Sequence, residues 1–364
     1  MIAYFDYRPQ LRELRAEIDE AIGRVLDSGH LILGSEVEAL EREFAAAGGV
    51  AGAVGVASGT GALVVAFRAL GIGSGDEVIT VANAGVPPVA AIRAVGATPR
   101  WVDVDPATLL MDPALLETAL TPKTRCVLPV HLYGQAVEMD AVVGFASRHG
   151  LAVVEDCAQA QGATYHGKPV GSLGDVGCFS FYPTKTMGAF GDGGMCTTRI
   201  ADLDERLRMI RMYGFKNDRH AHVEGLNSRL DELQAAILRV KLRHLDGAVA
   251  TRREIAARYR EGLQESGGRL LGATSGATHV HHLFVVRLSD RGRAIDALTA
   301  AEIGFGIHYP EPVHLMEAYR HLGPGEGALP VTEAACREVI SLPIYPGLES
   351  SDVERVVRTI RAVC

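Results

Sequence analysis

The sequence predicts an α/β fold: a large domain built on a mainly parallel sheet covered by helices, then a smaller α+β domain at the carboxyl end. Three observations carry this. Short apolar runs alternate with segments of helical period from Val54 to Phe181. The rhythm breaks in a Gly/Ser-rich stretch at 266–277, a candidate hinge or surface loop, and then restarts. The length of 364 residues also exceeds the roughly 250–300 at which a single core stops growing. The expected division is residues 1–250 for the large domain, with an N-terminal helical segment, and 251–364 for the small one.

Leu11, Leu14, Ile18, Ile22 and Val25 recur at helical spacing and predict a helix over 10–30. A second helix is expected from Ser35, with Glu38 completing a capping box. Val54 to Ala57 reads as a strand, Ser58-Gly59-Thr60-Gly61 as a tight turn, and Ala62 to Leu70 as a helix. Strands at 78–81, 100–104, 126–132, 151–154 and 179–181 alternate with helices at 89–95, 113–120 and 139–149. Further helices are expected at 206–213, 230–245 and 251–263. Beyond the Gly/Ser stretch come strands at 283–286 and 306–309 and helices at 295–301 and 353–363.

Composition narrows the function classes. A net charge of −8 argues against nucleic acid as a partner, and the basic residues between Arg206 and Arg219 are interleaved with aspartates as on a helix face. The N-terminus becomes charged at once and offers no apolar leader, so a cytoplasmic location is expected. Phe44 to Phe67 carries no charge, but its glycines make it too turn-prone for a membrane span. The six cysteines show no zinc or redox spacing and read as small buried hydrophobes. His279, His281 and His282 form a cluster in which His279 and His281 would share one strand face, yet no carboxylate or cysteine accompanies them at ligand spacing, so no metal is expected and all three read as surface or strand-edge residues.

The chemistry concentrates between Val153 and Thr198. Asp156 leaves the end of an apolar strand, and Lys185 follows the strand Phe179-Ser180-Phe181 before a cluster of glycines. Asp156 read alone is a helix cap, and Lys185 read alone is a surface lysine. Together they offer what pyridoxal 5′-phosphate requires, a carboxylate for the ring nitrogen and an amine for the aldehyde. Ser58, Gly59, Thr60 and Ser180 would gather its phosphate through hydroxyls and the amides at a helix start; read alone, Ser58 to Gly61 is only a turn of small residues.

These residues sit in a longer series of motifs. Ile32-Leu33-Gly34 with Glu36, Gly75-Asp76-Glu77, Pro129-Val130-His131-Leu132-Tyr133-Gly134, Glu155-Asp156-Cys157-Ala158-Gln159-Ala160, Gly191-Asp192-Gly193-Gly194, Asn227-Ser228-Arg229-Leu230-Asp231-Glu232 and His308-Tyr309-Pro310 follow one another along nearly the whole chain. In this the chain resembles the DegT/DnrJ/EryC1/StrS family of pyridoxal-phosphate-dependent nucleotide-sugar aminotransferases. The resemblance implies an aspartate-aminotransferase-like fold (fold type I) in a homodimer with shared active sites. It makes Lys185 the Schiff-base lysine, Asp156 the pyridine partner and Gln159 a contact to the hydroxyl side of the ring. Gly59, Thr60 and Ser180 become phosphate ligands, Asn227 reaches the phosphate of the neighbouring subunit, and Tyr182, His308 and Tyr309 face the sugar nucleotide. One position departs from the pattern. Gly85 stands where the family usually places an aromatic residue over the cofactor ring, so Val86 or a residue from elsewhere is expected to cover that face, and Gly85→Phe is expected to tighten cofactor retention.

The implied reaction moves an amino group from L-glutamate to a keto group of a nucleotide-linked deoxy sugar, with dTDP as the expected nucleotide. The Gly-Asp-Gly-Gly form at 191–194 resembles members acting at C3; a 4-keto acceptor is the alternative. Two other readings compete: a sugar dehydratase of the same family, in which a histidine replaces the lysine, and a non-catalytic regulatory relative. Lys185 speaks against the first. Lys185, Asp156, Gln159 and Ser180 together speak against the second.

Overall fold

The computed structural model describes residues 1–364. Its main sheet has seven strands: β1 (Gly52–Val56), β2 (Glu77–Val81), β3 (Thr98–Val102), β4 (Thr124–Val127), β5 (Ala152–Asp156), β8 (Val176–Ser180) and β9 (Gly194–Thr198); a short hairpin, β6 (Thr164–Tyr165) with β7 (Lys168–Pro169), stands apart. Across the sheet the order is β1-β9-β8-β5-β4-β2-β3. The pairs β2/β3, β2/β4, β4/β5 and β5/β8 are parallel, and only β9 runs antiparallel to its two neighbours. Strands such as β1 and β9 are buried at every residue, as a sheet covered on both faces demands.

The helices follow from the same alternation. In chain order they are α1 (Arg8–Ser28), α2 (Ser35–Gly48), α3 (Gly59–Ala69), α4 (Val86–Ala94), α5 (Leu116–Ala119), α6 (Met139–His149), α7 (Ala201–Arg211), α8 (Glu232–Arg243) and α9 (Leu245–Leu263). One face of the sheet packs on α3, α4 and α7 through Leu63, Phe67, Ile92 and Leu207, and the other on α2, α6 and α8 through Leu40, Val142 and Leu238. Each such side chain contributes roughly 1.5–3 kcal/mol on burial. Leu14, Ile18 and Val25 of α1 lie on Ile237 and Val240 of α8, the stripe read from the spacing.

The small domain holds a three-stranded antiparallel sheet, β10 (Arg269–Leu270), β11 (Phe284–Arg287) and β12 (Val339–Leu342), with α10 (Arg291–Ala300), α11 (Pro330–Glu338) and α12 (Ser350–Arg361). No helix is long and apolar enough to cross a membrane.

Three local expectations are corrected, on the cap of α2, on residues 306–309 and on the histidines. The boundary at 250/251 falls inside α9, whose Leu245 and Val249 enter the large core while Ile255, Tyr259 and Leu263 enter the small one. The first residues belong with the small core as well, since Ile2 is buried there and bridges to Ile303. The capping box at Ser35 does not form; Gly34 is the N-cap, and the Glu232 carboxylate accepts from the amides of Gly34, Glu36 and Val37 at 2.9, 2.9 and 2.8 Å. A carboxylate from another helix thus satisfies amides that a local side chain was expected to serve. Residues 306–309 form no strand: Gly306 alone bridges to Ser341 on the free edge of β12, and beyond it the segment is held by side chains, with Tyr133 on the His308 carbonyl and Gln159 on Tyr309. His281 and His282 are buried in a loop rather than displayed on a surface strand, and burial pushes His281 down to about 3.

Candidate active site

The sheet register brings the expected residues together. β5 and β8 are parallel neighbours with Asp156 opposite Cys178, so Asp156 and Ser180 end adjacent strands on the same edge. Gly194 on β9 lies opposite both Ser180 and Val56, which draws the turn after β1 against the end of β8. Approach is close enough that a Cβ on Gly59 would lie 2.5 Å from Ser180 Cβ; only glycine fits. Ser58 caps α3, its Oγ accepting from the Gly61 amide at 3.0 Å, worth about 1 kcal/mol. The amides of Gly59 and Thr60 have no acceptor within the chain. Two free N–H groups at the positive end of a helix, beside the Ser180 hydroxyl, form an anion cradle.

Asp156 is buried at the carboxyl end of β5. Its Oδ1 accepts from the Ala158 amide at 3.0 Å, while Oδ2 has no partner in the chain. Burial pushes the Asp156 carboxyl above its ordinary range, against the opposing pull of that amide and of the Lys185 charge. Lys185 follows a turn in which its amide donates to Tyr182 O at 2.8 Å. Its ammonium has no carboxylate within 4.0 Å. The stem is partly accessible, but protein atoms crowd the amine, and this desolvation lowers it to about 8 although Asp156 pulls the other way. An amine without a partner lies near enough to a carboxylate with an empty acceptor position for their charges to act on each other, and the anion cradle lies at the same strand edge. This donor set fits pyridoxal phosphate.

Beneath Asp156 lies a buried pair that spacing could not reveal. His131 Nδ1 accepts from the Val137 amide at 3.1 Å, which leaves Nε2 to donate to Glu155 Oε2 at 3.0 Å. Burial alone would raise Glu155, but His131 and the amides of Gly174 and Gly171 bring it below the usual carboxylate range. The His131 amide donates to Asp156 O at 3.0 Å, so the pair fixes the backbone that aims the Asp156 carboxylate.

Gln159 is buried as well. Its Oε1 accepts from the Tyr133 amide at 2.7 Å and its Nε2 donates to Tyr309 Oη at 3.3 Å. His308 and Tyr182 line a cavity of about 240 Å3 with Tyr4, Phe5, Thr184 and His282. Burial, and then the Lys185 charge, push His308 down to about 4, so its ring is neutral. Asn227 is not drawn into its own chain's cradle; it is exposed and its side chain makes no hydrogen bond within the chain.

Three residues of the site escape a reading by motif. Gln161 Nε2 donates to Ser180 O at 2.5 Å and fixes the end of β8. Ser228, next to Asn227, is buried with its Oγ 3.4 Å from the Ala57 amide. Tyr133 donates from its hydroxyl to His308 O at 2.7 Å. All three lie inside or beside motifs already noted, yet nothing in the order of residues says which side chain turns inward.

The family model for the DegT/DnrJ/EryC1/StrS aminotransferase family matches residues 12–361. A dTDP-3-amino-3,4,6-trideoxy-alpha-D-glucose transaminase of Streptomyces venezuelae is 47% identical over 361 residues, covering 99% of this chain and 95% of the relative. A UDP-N-acetyl-3-dehydro-alpha-D-glucosamine 3-aminotransferase of Acidithiobacillus ferrooxidans is 44% identical, covering 99% and 97%. The crystal structure of S. venezuelae DesV in complex with a ketimine intermediate matches with a TM-score of 0.97 at 47% identity, covering 99% of this chain and 98% of that one.

Proposed function

This chain belongs to the DegT/DnrJ/EryC1/StrS aminotransferase family, and from that premise we propose that it transfers an amino group from L-glutamate to the C3 keto group of a nucleotide-linked deoxy sugar, with dTDP as the expected nucleotide. It is a pyridoxal-phosphate-dependent aminotransferase, as its family and the solved neighbours with bound cofactor establish. When bound, that cofactor carries the amino group between the two substrates and takes up negative charge from the carbon that loses a proton. The observation that carries the site assignment is a partnerless, desolvated Lys185 amine within reach of the charge of Asp156, whose Oδ2 is free.

The chain's own residues then have distinct tasks. Lys185, lowered to about 8, is neutral often enough near neutral pH to act as nucleophile and to move a proton as base and then acid. Asp156 offers its free Oδ2 to a protonated ring nitrogen, a charge-assisted bond of roughly 1.5–3 kcal/mol. Ser58 holds the helix start in shape, and Gly59, Thr60 and Ser180 receive the phosphate. Gln159, pinned by the Tyr133 amide, faces the ring hydroxyl. Tyr182 and His308 line the space for the sugar nucleotide, where a neutral His308 serves as a hydrogen-bonding group rather than a charge.

The site is read as half of a pair. Asn227, exposed and free of partners in its own chain, would reach the phosphate of a neighbouring subunit in a homodimer. Exposed Tyr7, Phe190 and Tyr213 support such an interface. Attack at C3 is supported by the relatives, whose names place the amino group at that carbon on both dTDP and UDP sugars.

The test is a panel of keto-sugar nucleotides offered to enzyme first treated with L-glutamate, following cofactor absorption. Return of the original absorption with a 3-keto sugar is the expected result. Return with 4-keto sugars alone moves the reaction to C4, and no return with any sugar overturns the proposal.

A further inference from the structure

Gly85 precedes α4 with φ 76° and ψ −173°, backbone that only glycine adopts readily. The space its side chain would take is filled. A Cβ at Gly85 would lie 2.9, 3.0 and 3.2 Å from Cζ, Cε1 and Cε2 of the Tyr309 ring. That ring comes from the small-domain side and is held at both ends. Its Oη accepts from Gln159 Nε2 at 3.3 Å, and Tyr133 Oη donates to the carbonyl of the preceding His308 at 2.7 Å. The phenol proton is therefore not used by Gln159 and remains available to a ligand. Burial, and then the Asp156 charge, push the hydroxyl up to about 12, which keeps that proton in place.

We propose that Tyr309 is the aromatic side chain that covers the cofactor ring in this protein, and that Gly85 lacks a side chain in order to admit it. The proposal rests on the reading that Asp156 and Lys185 hold pyridoxal phosphate. It reassigns Tyr309 from the sugar to the cofactor. Its anchor explains the arrangement: Gln159 is held by Tyr133 and in turn holds the phenol, so ring hydroxyl recognition and ring coverage share one set of hydrogen bonds.

The experiment compares wild type, Tyr309→Leu and Tyr309→Phe as purified holoproteins. Cofactor release is followed by absorbance after dilution into buffer without cofactor, and the melting temperatures of the apoproteins report folding. Loss of the aromatic ring in Tyr309→Leu should speed release by about three- to tenfold, and Tyr309→Phe, which keeps the ring, should stay within about twofold of wild type. Release from Tyr309→Leu at the wild-type rate, with only the sugar KM raised, overturns the proposal and returns Tyr309 to the sugar. If Tyr309→Leu does not fold, Tyr309→Phe decides: release more than about threefold faster than wild type overturns the proposal, because the ring is still there. A wild type without cofactor absorption overturns the underlying reading, and this proposal with it.

Discussion

The carboxyl edge of the main sheet and the segment from Gly306 to Tyr309 border the same site, but they are held by different means. Asp156 and Ser180 end two strands locked in parallel register, and β9 draws the Ser58 turn to them through backbone pairing. The segment 306–309 has one backbone bridge, to Ser341, and is otherwise pinned by side chains: Tyr133 on the His308 carbonyl, Ser341 Oγ 2.9 Å from His308 Nδ1, and Gln159 on Tyr309. Backbone ladders fix where reacting groups stand whatever the neighbouring side chains are. Side-chain pins can be exchanged one at a time, so this border of the site is the one free to change with the ligand.

The comparison predicts a graded set of losses. Lys185→Ala should lower kcat by on the order of 10³-fold or more, with the melting temperature of the apoprotein held or raised, because a desolvated amine is removed; a loss below about tenfold would place the reacting amine elsewhere. The pH profile of cofactor attachment to the apoprotein sharpens the point. With the Lys185 amine lowered to about 8, the neutral fraction passes one half at that pH and levels above it, whereas an unshifted lysine would pass one half only at 10.5. The linkage has the same sign: between those values the unfolded chain binds more protons at this residue than the folded one, so its burial penalty falls as pH rises. Asp156→Asn should lower kcat by on the order of 10²-fold while cofactor stays bound through its phosphate, measured by turnover and absorption together.

Smaller effects are expected on the side-chain-pinned border. Gly85→Phe reverses the expectation drawn from sequence: positive φ and the Tyr309 ring in its path should destabilise the fold by about 1–3 kcal/mol and speed cofactor loss. A variant that melts no lower than wild type and holds cofactor more tightly would restore the original expectation. Tyr133→Phe removes one hydrogen bond to His308 and should cost about 1 kcal/mol in stability, seen in denaturant melts, with kcat nearly unchanged.

The same contrast explains what the sequence could disclose. The sheet edge is legible because a strand end followed by an acid, and a glycine turn opening a helix, are local patterns with local causes; Asp156 and Ser58 stand where those patterns put them. The segment 306–309 reads as a strand because Gly306 to Tyr309 has no local feature that forbids one. What decides its shape is Ser341, Tyr133 and Gln159, each far away in the chain. Glu232 as the cap of α2 and His131 beneath Asp156 were hidden for the same reason, since a buried carboxylate or imidazole acquires its role only from the partner it meets. Motif resemblance located Tyr309 but not its task, because the missing side chain at Gly85 and the ring that fills its place lie on different domains.

The central claim is that Lys185 is the residue to which the cofactor attaches, and the chain supplies its own control. Lys241 is also buried and lowered to about 8, by desolvation alone, but its Nζ donates to Gly188 O at 2.5 Å. Borohydride reduction of the holoprotein, followed by proteolysis and mass mapping, should place the phosphopyridoxyl group on the peptide containing Lys185 and leave Lys241 unmodified. Label on Lys241, or on neither lysine in a protein that shows cofactor absorption, would contradict the account.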